Sequence, residues 1–326
     1  MKFSKELSIY QKMDAEDREF ESEVVMSTLV TGGAGFIGSN LVEELLAAGE
    51  EVVVLDNMHT GSPTNLEGLK GRLKVIKASC NELPEMDLRP EKIYHLGIPS
   101  SSPMYKKNPY LVGEALNGFT AVFELARKSG ARVVYASSSS LYNGLLPPHR
   151  EDMAIQVTDY YTEARLAMER MAELYQRLFD VNSAGLRLFS VYGPKEKSKK
   201  QYANMVTQFL WQMQDGKTPL IFGDGSQTRD FIYVKDVARA LQQAMKSDYH
   251  GILNVGTGKA YSFNQVIEIL NKNLGLAVKP QHVDNPIKNY VQHTLSDTDK
   301  AEKVLGFRAR YSLEDGVKEL LRFYGV

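Results

Sequence analysis

The sequence predicts an α/β protein with a doubly wound parallel sheet and a smaller C-terminal lobe. Short apolar, β-branched runs alternate with helical patterns from residue 26 to about residue 190, which is the rhythm of parallel strands joined by crossover helices. A glycine-rich turn joins the first run to the first helical pattern. The alternation ends after Tyr192-Gly193-Pro194, so the residues beyond it are expected to fold beside the sheet.

The strands and helices are predicted in order along the chain. Strands are expected at 26–31, 51–55, 73–77, 92–96, 132–137 and 184–189. Helices are expected at 36–48, 109–129 and 160–179, followed by an apolar helix around 203–214. Gly49 and Gly130 are expected to end the first two helices, because glycine readily adopts the left-handed conformation that terminates a helix.

The turn between the first strand and the first helix reads Thr31-Gly32-Gly33-Ala34-Gly35-Phe36-Ile37-Gly38. Its glycines let the chain turn sharply, let backbone N–H groups approach a pyrophosphate, and let the helix pack on its strand. The helix N-terminus favours phosphate because its N–H groups are unpaired and its dipole attracts negative charge. Asp56 ends the second strand, where a carboxylate accepts hydrogen bonds from ribose hydroxyls and repels a 2′-phosphate. The sequence therefore predicts a Rossmann sheet that binds NAD rather than NADP.

Composition and charge argue against several other classes of function. The chain has 326 residues and a formal net charge of −1, so no general attraction to nucleic acid or to a membrane surface is expected. No apolar run approaches the ~20 residues of a membrane span. Cys80 is the only cysteine, so we expect no intrachain disulfide and a cytoplasmic location. The six histidines lack metal-ligand spacing, so no metal site is expected. The lysine-rich stretch at 195–200 is interpreted as a solvated loop, with a phosphate clamp as the alternative.

These patterns divide the chain into three regions. Residues 1–25 are expected to form an N-terminal extension, either a surface helix packed on the main body or a partly disordered segment, with a partner-binding helix as the alternative. Residues 26–190, with a return segment at about 233–257, are expected to form the dinucleotide-binding domain. Residues 191–232 and 258–326 are expected to form the smaller, substrate-binding lobe.

Hydroxyl side chains gather after the fifth predicted strand, in the run Ser137-Ser138-Ser139-Ser140-Leu141-Tyr142. Tyr161 then opens the third predicted helix, and Arg165 lies four residues later on the same helical face. A cation on that face favours the phenolate form of a tyrosine. A serine hydroxyl at the strand end can orient a substrate hydroxyl and donate to the oxygen on which charge develops.

Taken together, these segments resemble the extended short-chain dehydrogenases/reductases of the nucleotide-sugar epimerase/dehydratase family, over residues 26–326. The matching segments are TGGAGFIG at 31–38, LDN at 55–57, YHLG at 94–97, SSSSLY at 137–142, YTEAR at 161–165, RLFSVYGP at 187–194, FGDGSQTRDFIYVKD at 222–236, LNVGTG at 253–258 and SDTDKAEKVLGF at 296–307. So many matches in one order are specific for the family and much less specific for the substrate.

The resemblance implies a role for each matched residue. The residues that would hold NAD are Gly32, Gly35, Phe36, Ile37, Gly38, Asp56, Asn57, Leu96, Gly97, Tyr161 and Arg165. The catalytic residues would be Ser138, Tyr161 as the base, and Arg165. A nucleotide diphosphate sugar, with a UDP-sugar as the expected form, would contact Ser138, Ser139, Ser190, Asn204 and Arg229, the last of which would neutralise the diphosphate. A homodimer through the helices near 109–129 and 160–179 is also implied.

The chain departs from the family pattern mainly at Arg165, where the family has lysine. Arginine keeps the positive charge, but its head is longer, planar and fixed in a fork. Ser79 stands where an adenine-binding Asp is common, Ser190 replaces the usual Asn, and Tyr160 takes a position where Pro is frequent. These differences are typical of a divergent member with an altered pocket.

Ser139 and Ser140 favour epimerisation over elimination. Family dehydratases carry Asp-Glu after the catalytic Thr, and decarboxylating members keep Glu two residues before the strand-end tyrosine. A hydroxyl at these positions is a poor general base. We therefore predict an NAD-dependent nucleotide-sugar epimerase that acts at C4 through a transient 4-keto sugar. The alternatives are a 4,6- or 5,6-dehydratase or a reductase on the same scaffold, and a weakly active NAD/sugar-nucleotide-binding protein, which Arg165 keeps open.

Overall fold

The predicted alternation of strands and helices is present throughout the first part of the molecule. The computed structural model describes residues 28–286 and 290–326. The predicted extension at 1–25 lies outside the described residues. The strands are β1 (Thr28–Thr31), β2 (Val52–Leu55), β3 (Leu73–Ile76), β4 (Lys92–His95), β5 (Arg132–Ser138), β6 (Ser183–Leu188), β7 (Val191–Tyr192), β8 (Leu220–Phe222), β9 (Thr228–Arg229), β10 (Ile232–Tyr233), β11 (Gly251–Val255), β12 (Tyr261–Ser262) and β13 (Gln281–Val283).

The helices connect these strands or cover them. They are α1 (Phe36–Ala47), α2 (Ser102–Lys107), α3 (Leu111–Ser129), α4 (Tyr160–Phe179), α5 (Met205–Gln214), α6 (Val234–Lys246), α7 (Phe263–Leu274), α8 (Asp299–Leu305) and α9 (Leu313–Tyr324). The six predicted strands and the four predicted helices are confirmed, with ends that differ by at most two residues. Of the helices in the described part, none is both long and apolar enough to cross a membrane.

Seven strands form one sheet in the order β11-β6-β5-β4-β1-β2-β3, and each neighbouring pair is parallel. The chain builds outward from β1 through β2 to β3, then crosses back and continues on the other side with β4. The predicted doubly wound parallel sheet is therefore confirmed. In such sheets the strand ends beside the crossover leave a crevice for a ligand, here between β1 and β4.

Apolar residues of the sheet alternate between two helical layers. In β1, Leu29 belongs to a buried cluster that includes Phe119 of α3 and Met168 of α4. The next residue, Val30, points to the other face and joins a cluster with Leu41 of α1 and Leu241 of α6. Because successive side chains of a strand point to opposite faces, even a strand of four residues supplies both cores at once.

A third buried cluster lies apart from the sheet and joins α5, α7 and α9. Phe209, Phe263 and Leu320 are among its buried members. Three two-stranded ladders, β7 with β10, β8 with β13 and β9 with β12, accompany it. This part of the chain therefore has a core of its own beside the open end of the sheet crevice.

Candidate active site

A cleft lies along the carboxyl ends of the central strands, between the turn after β1 and the loops after β4, β5 and β6. Most of the predicted site residues line it: Gly32, Gly35, Phe36, Ile37, Gly38, Asp56, Asn57, Leu96, Gly97, Ser138, Ser139, Tyr161, Arg165, Ser190 and Asn204. Arg229 is the predicted residue that does not line it. The structure thus brings the cofactor and catalytic candidates together on one surface.

The glycine turn has no room for side chains at its critical positions. Gly32 has a φ of +69°, and a Cβ there would lie 2.6 Å from the backbone nitrogen of Gly97. A Cβ on Gly38 would collide with the carbonyl oxygen of Gly32. Gly35 precedes α1 without a side-chain cap, so the first N–H groups of the helix remain open to the cleft. This cradle fits a dinucleotide pyrophosphate.

Asp56 is buried at the end of β2, and both of its carboxylate oxygens already bind backbone. Oδ2 accepts a hydrogen bond from Ala34 N at 3.0 Å, and Oδ1 accepts one from Met58 N at 2.8 Å. Burial raises the pKa of Asp56, while these amide hydrogen bonds act in the opposite direction. Because each carboxylate oxygen can accept a second hydrogen bond, Asp56 remains able to bind a ribose hydroxyl.

The loop after β4 lies directly against the glycine turn. Gly97 N donates to the Thr31 hydroxyl at 3.1 Å, and the same hydroxyl is 2.8 Å from His95 Nδ1. Burial, together with the charge of Arg165, lowers the pKa of His95 to about 3. His95 is therefore a neutral, structural imidazole that fixes the strand end, and it is not a candidate general base.

The serines after β5 differ in what they bind. Ser137 donates to Glu169 Oε1 at 2.5 Å, so its hydroxyl hydrogen is engaged behind the cleft. Ser138 lies in the cleft and is buried, and its Oγ accepts a hydrogen bond from Ser140 N at 3.1 Å. Because the Ser138 oxygen accepts this hydrogen bond, its hydroxyl hydrogen remains available to donate to a ligand. This geometry supports Ser138 over Ser137 as the hydroxyl that contacts substrate.

Behind these serines, a buried polar network anchors β5 to β6 and α4. Glu169 and Arg187 form an ion pair of 2.7 Å, with both side chains nearly fully buried. Arg187 also donates to the hydroxyl of Tyr142 at 2.8 Å, and that hydroxyl donates to Asn254 Oδ1 at 2.7 Å. Because each member has a partner, the network fixes the strand end that carries Ser138.

Tyr161 and Arg165 stand on the first turns of α4, which begins at a capping box on Asp159. The Tyr161 ring is buried edge-on against Tyr105, with centroids 5.5 Å apart. The guanidinium carbon of Arg165 is 4.9 Å from the centroid of the Tyr161 ring. The predicted pairing of these two side chains is therefore present as a cation held against an aromatic ring.

The position of Arg165 is fixed by two backbone carbonyls. Nη1 donates to Ala136 O at 3.0 Å, and Nη2 donates to Pro99 O at 3.2 Å. Nε is buried and, within the described residues, has no hydrogen-bond partner. The fork thus ties the end of β5 to the loop after β4 through two separate nitrogens, whereas a lysine has one ammonium nitrogen on a shorter side chain.

Arg229 lies outside the cleft. Its Nη2 donates to Val291 O at 2.5 Å, and its Nη1 donates to Thr228 O at 2.8 Å and to Gln292 O at 3.1 Å. The guanidinium also lies between the rings of Phe263 and Tyr290. These contacts fasten β9 to the segment at 290–292, so the structure does not join Arg229 to the other predicted substrate contacts.

Lys199 and Tyr202 are among the further residues that line the cleft, and neither was predicted as a site residue. Both belong to the short helical turn Lys197–Tyr202, directly before Asn204. The lysine-rich composition was visible in the sequence, but it carried no information on which lysine faces inward. The available signal was the position of this turn, which lies between two predicted features, Ser190 and the apolar helix around 203–214.

Comparison with known proteins gives a consistent result. Residues 28–256 match the model of the NAD dependent epimerase/dehydratase family. The chain is 32% identical over 310 residues to the UDP-glucose 4-epimerase of Mycolicibacterium smegmatis, covering 92% of this chain and 98% of that protein. It is 31% identical over 306 residues to UDP-glucuronic acid decarboxylase 1 of Arabidopsis thaliana, covering 90% of this chain and 68% of that protein.

Among solved structures, the chain is similar to UDP-glucose 4-epimerase from Thermotoga maritima with UDP-glucose. The TM-score is 0.86 at 30% sequence identity, covering 92% of this chain and 98% of that one. The likeness includes both the sheet and the smaller lobe, since so little of either chain is left out.

Proposed function

This chain belongs to the NAD-dependent epimerase/dehydratase family, and from that premise we propose that it is a nucleotide-sugar 4-epimerase working with bound NAD. The observation that carries the proposal is the shared cleft, in which the glycine turn and Asp56 face Ser138, Tyr161 and Arg165. The Mycolicibacterium smegmatis and Thermotoga maritima relatives, each covering 92% of this chain, are named for UDP-glucose. A UDP-hexose or UDP-hexuronate is accordingly the proposed substrate.

The chain's own residues would hold the cofactor and move one proton. NAD, when bound, supplies the hydride acceptor that oxidises a carbinol carbon and the donor that reduces it again. The glycine turn would bind the pyrophosphate through backbone N–H groups, and Asp56 would accept the ribose hydroxyls. Asn57, Leu96 and Gly97 would complete the cofactor contacts.

At the substrate end, Tyr161 would take the hydroxyl proton from the sugar and later return it. Ser138 would donate to the oxygen on which negative charge develops, and the polar network behind β5 would hold it in place. Arg165 brings positive charge to the Tyr161 ring, which stabilises negative charge on the phenolic oxygen. Ser139, Ser190 and Asn204 would contact the sugar nucleotide.

The acidic side chains of the cleft support epimerisation over elimination or decarboxylation. Asp56 and Glu114 are the acids among the residues that line it. Asp56 is engaged at the ribose end by backbone amides, and Glu114 is exposed. Ser139 and Ser140 follow Ser138 where an acid and a base would have to act, and neither can supply them.

The decisive experiment is incubation of the full chain with UDP-glucose, UDP-galactose, UDP-glucuronate and UDP-N-acetylglucosamine, analysed by NMR and mass. We expect one sugar to convert to its C4 epimer at unchanged mass and with no net NADH. Loss of water, loss of carbon dioxide or stoichiometric NADH would contradict the proposal, since each reports a different reaction on this scaffold. The proposal would also be contradicted if the chain neither converted any of these sugar nucleotides nor responded to added NAD.

We also propose a homodimer formed through α3 and α4. Leu174 and Leu178 lie one turn apart on α4 and are 52% and 66% exposed, and Phe179 is 49% exposed beside them. An apolar stripe of this kind is costly in water and suits a helix-to-helix interface. Light scattering of the wild type should give twice the mass of one chain, and the Leu178→Glu variant should give the mass of one chain. A wild type with the mass of one chain would contradict the proposal.

The division of the chain and its location are proposed with the same function. β11, inside the return segment 233–257, lies beside β6 in the sheet, which supports assigning that segment to the domain at 26–190. The cluster shared by α5, α7 and α9 supports a separate lobe from 191–232 and 258–326. A single, buried cysteine suits a reducing, cytoplasmic setting.

A further inference from the structure

The cleft has few positive charges with which to meet phosphate. Besides His59, its basic lining residues are Arg165 and Lys199, and its acidic ones are Asp56 and Glu114. Both Nη groups of Arg165 already donate to backbone carbonyls. A bound dinucleotide brings two negative charges on its pyrophosphate. The side chain left to neutralise them is Lys199.

The geometry places Lys199 at the pyrophosphate end of the cleft. Its Nζ is 5.2 Å from the ring centroid of Phe36, the first residue of α1. The first turn of α1 is the part of the glycine cradle that faces phosphate. The Lys199 side chain is only 17% exposed, so it is held in this region rather than extended into solvent.

The contact of Lys199 with protein leaves it able to bind a ligand. Its carboxylate neighbour is Glu196, whose Oε1 lies 3.6 Å from Nζ, longer than a hydrogen bond. Glu196 is fully buried and already accepts hydrogen bonds from Asn204 N, at 2.9 Å, and from the Thr207 hydroxyl. Glu196 therefore positions the ammonium group without using all three of its N–H donors.

The other lysines of the same stretch lie elsewhere. Lys195 pairs with Glu43 at 2.6 Å, Lys197 lies against the ring of Tyr324, and Lys200 is exposed. Lys195 and Lys199 are thus both largely buried, and Lys199 is the one that lines the cleft. The solvated-loop interpretation describes Lys197 and Lys200, and the phosphate clamp remains a proposal for Lys199.

We propose that Lys199 neutralises the pyrophosphate of the bound dinucleotide, reaching from the loop after β7 to the N-terminus of α1. Backbone amides alone would bind the phosphates through neutral donors, whereas an ammonium adds a charge-assisted hydrogen bond. The same contact would tie the smaller lobe to the cofactor. This inference rests on the proposed function for the identity of the cofactor.

The test is the release rate of NADH from the loaded full-length protein, followed by fluorescence during a chase with excess NAD. Lys199→Gln should release NADH about tenfold faster, the size expected for one partly screened charged hydrogen bond. Lys199→Arg should keep most of the retention. Lys200→Gln is the matched control for loss of one positive charge in the same loop, and it should release at the wild-type rate.

Salt provides a second measurement. The difference between wild type and Lys199→Gln should shrink in ~1 M salt, where charges beyond about 3 Å are screened. Equal release rates at low salt overturn the proposal. So does an unchanged release rate combined with a raised KM for the UDP-sugar, because Lys199 would then serve the substrate diphosphate. Failure of the epimerase assay leaves these release rates readable, so the two proposals fail separately.

Discussion

The dinucleotide turn at 31–38 and the catalytic face formed by Ser138, Tyr161 and Arg165 line the same cleft but are built in different ways. The turn works through backbone, because a Cβ at Gly32 or Gly38 would overlap neighbouring main chain. The catalytic face works through side-chain groups, and its Arg165 is held by the carbonyls of Ala136 in β5 and of Pro99 in the loop after β4. Cofactor binding therefore depends first on backbone shape, whereas the reaction depends on the chemistry of individual side chains.

The sharpest way to separate the two regions is Tyr161→Phe. We expect kcat to fall about 10³-fold, because the proton acceptor is lost while the ring and its contact with Tyr105 remain. NADH release should change much less than kcat, since loss of the Tyr161 hydroxyl removes one of many predicted cofactor contacts. The neighbouring Tyr160, which is 52% exposed, gives the matched control, and Tyr160→Phe should keep full turnover. A Tyr161→Phe variant with near wild-type kcat would break the comparison, because the reaction would then not depend on this face.

The complementary change is Gly38→Ala in the turn. The added Cβ meets the carbonyl oxygen of Gly32, so the helix must move away from the phosphate cradle. We expect NAD affinity to fall about 100-fold, measured by titration, with a lower melting temperature.

Gly113→Ala is the control for this change, because a Cβ at Gly113 meets open space near the start of α3. It should bind NAD as the wild type does and be slightly more stable, since alanine favours a helix. A Gly38→Ala protein with normal affinity would mean that the turn is not the cofactor site.

Arg165→Lys tests whether the catalytic face has adapted to its arginine. A lysine has one ammonium nitrogen on a shorter side chain, so it does not reproduce the two-nitrogen fork that holds Ala136 O and Pro99 O. We expect kcat to fall about tenfold, with NADH release less affected, because small displacements at a reacting group are costly. Arg170→Lys, at an exposed position on the same helix, should have no effect. A strong rise in kcat for Arg165→Lys would instead favour a binding protein with a poorly matched site.

For the dinucleotide turn, the sequence allowed an almost complete prediction. For the catalytic face, it allowed the residues to be predicted but not the contacts that fix the Arg165 guanidinium. The glycines and Asp56 follow a strand–turn–helix pattern that is recognisable in the sequence, although Gly32 and Asp56 also contact other segments. The partners of Arg165 come from Ala136 and Pro99, and these are defined only once β4, β5 and α4 are packed together. The pairing of Tyr161 with Arg165 was predictable because four residues make one helical turn.

Long side chains in the smaller lobe were the hardest to predict. Arg229 matched a family position, yet its guanidinium binds carbonyls at 291 and 292, about sixty residues later in the chain. Lys199 looked like one of four equivalent lysines, and only the fold of its loop turns it inward. In both cases the side chain is long enough to contact residues that are distant in the sequence, so the local sequence pattern does not determine its partners.

The smallest expected effect is a pH dependence of the turn region through Asp56. Burial raises the pKa of this carboxyl, and its ionised form is the one that accepts both backbone amides and a ribose hydroxyl. Protonation removes an acceptor, so NAD affinity should fall about threefold as pH decreases through the raised pKa of Asp56. The cofactor-free protein should respond with the opposite sign, because a raised acid pKa stabilises the fold at low pH and that stability is lost as pH rises through it.

Asp56→Asn should remove both trends, whereas Asp87→Asn, at a side chain that is 89% exposed, should leave both in place. An affinity that does not change with pH in the wild type, measured by NADH titration, would remove the Asp56 carboxylate from the cofactor site and leave cofactor retention to the glycine turn and Lys199.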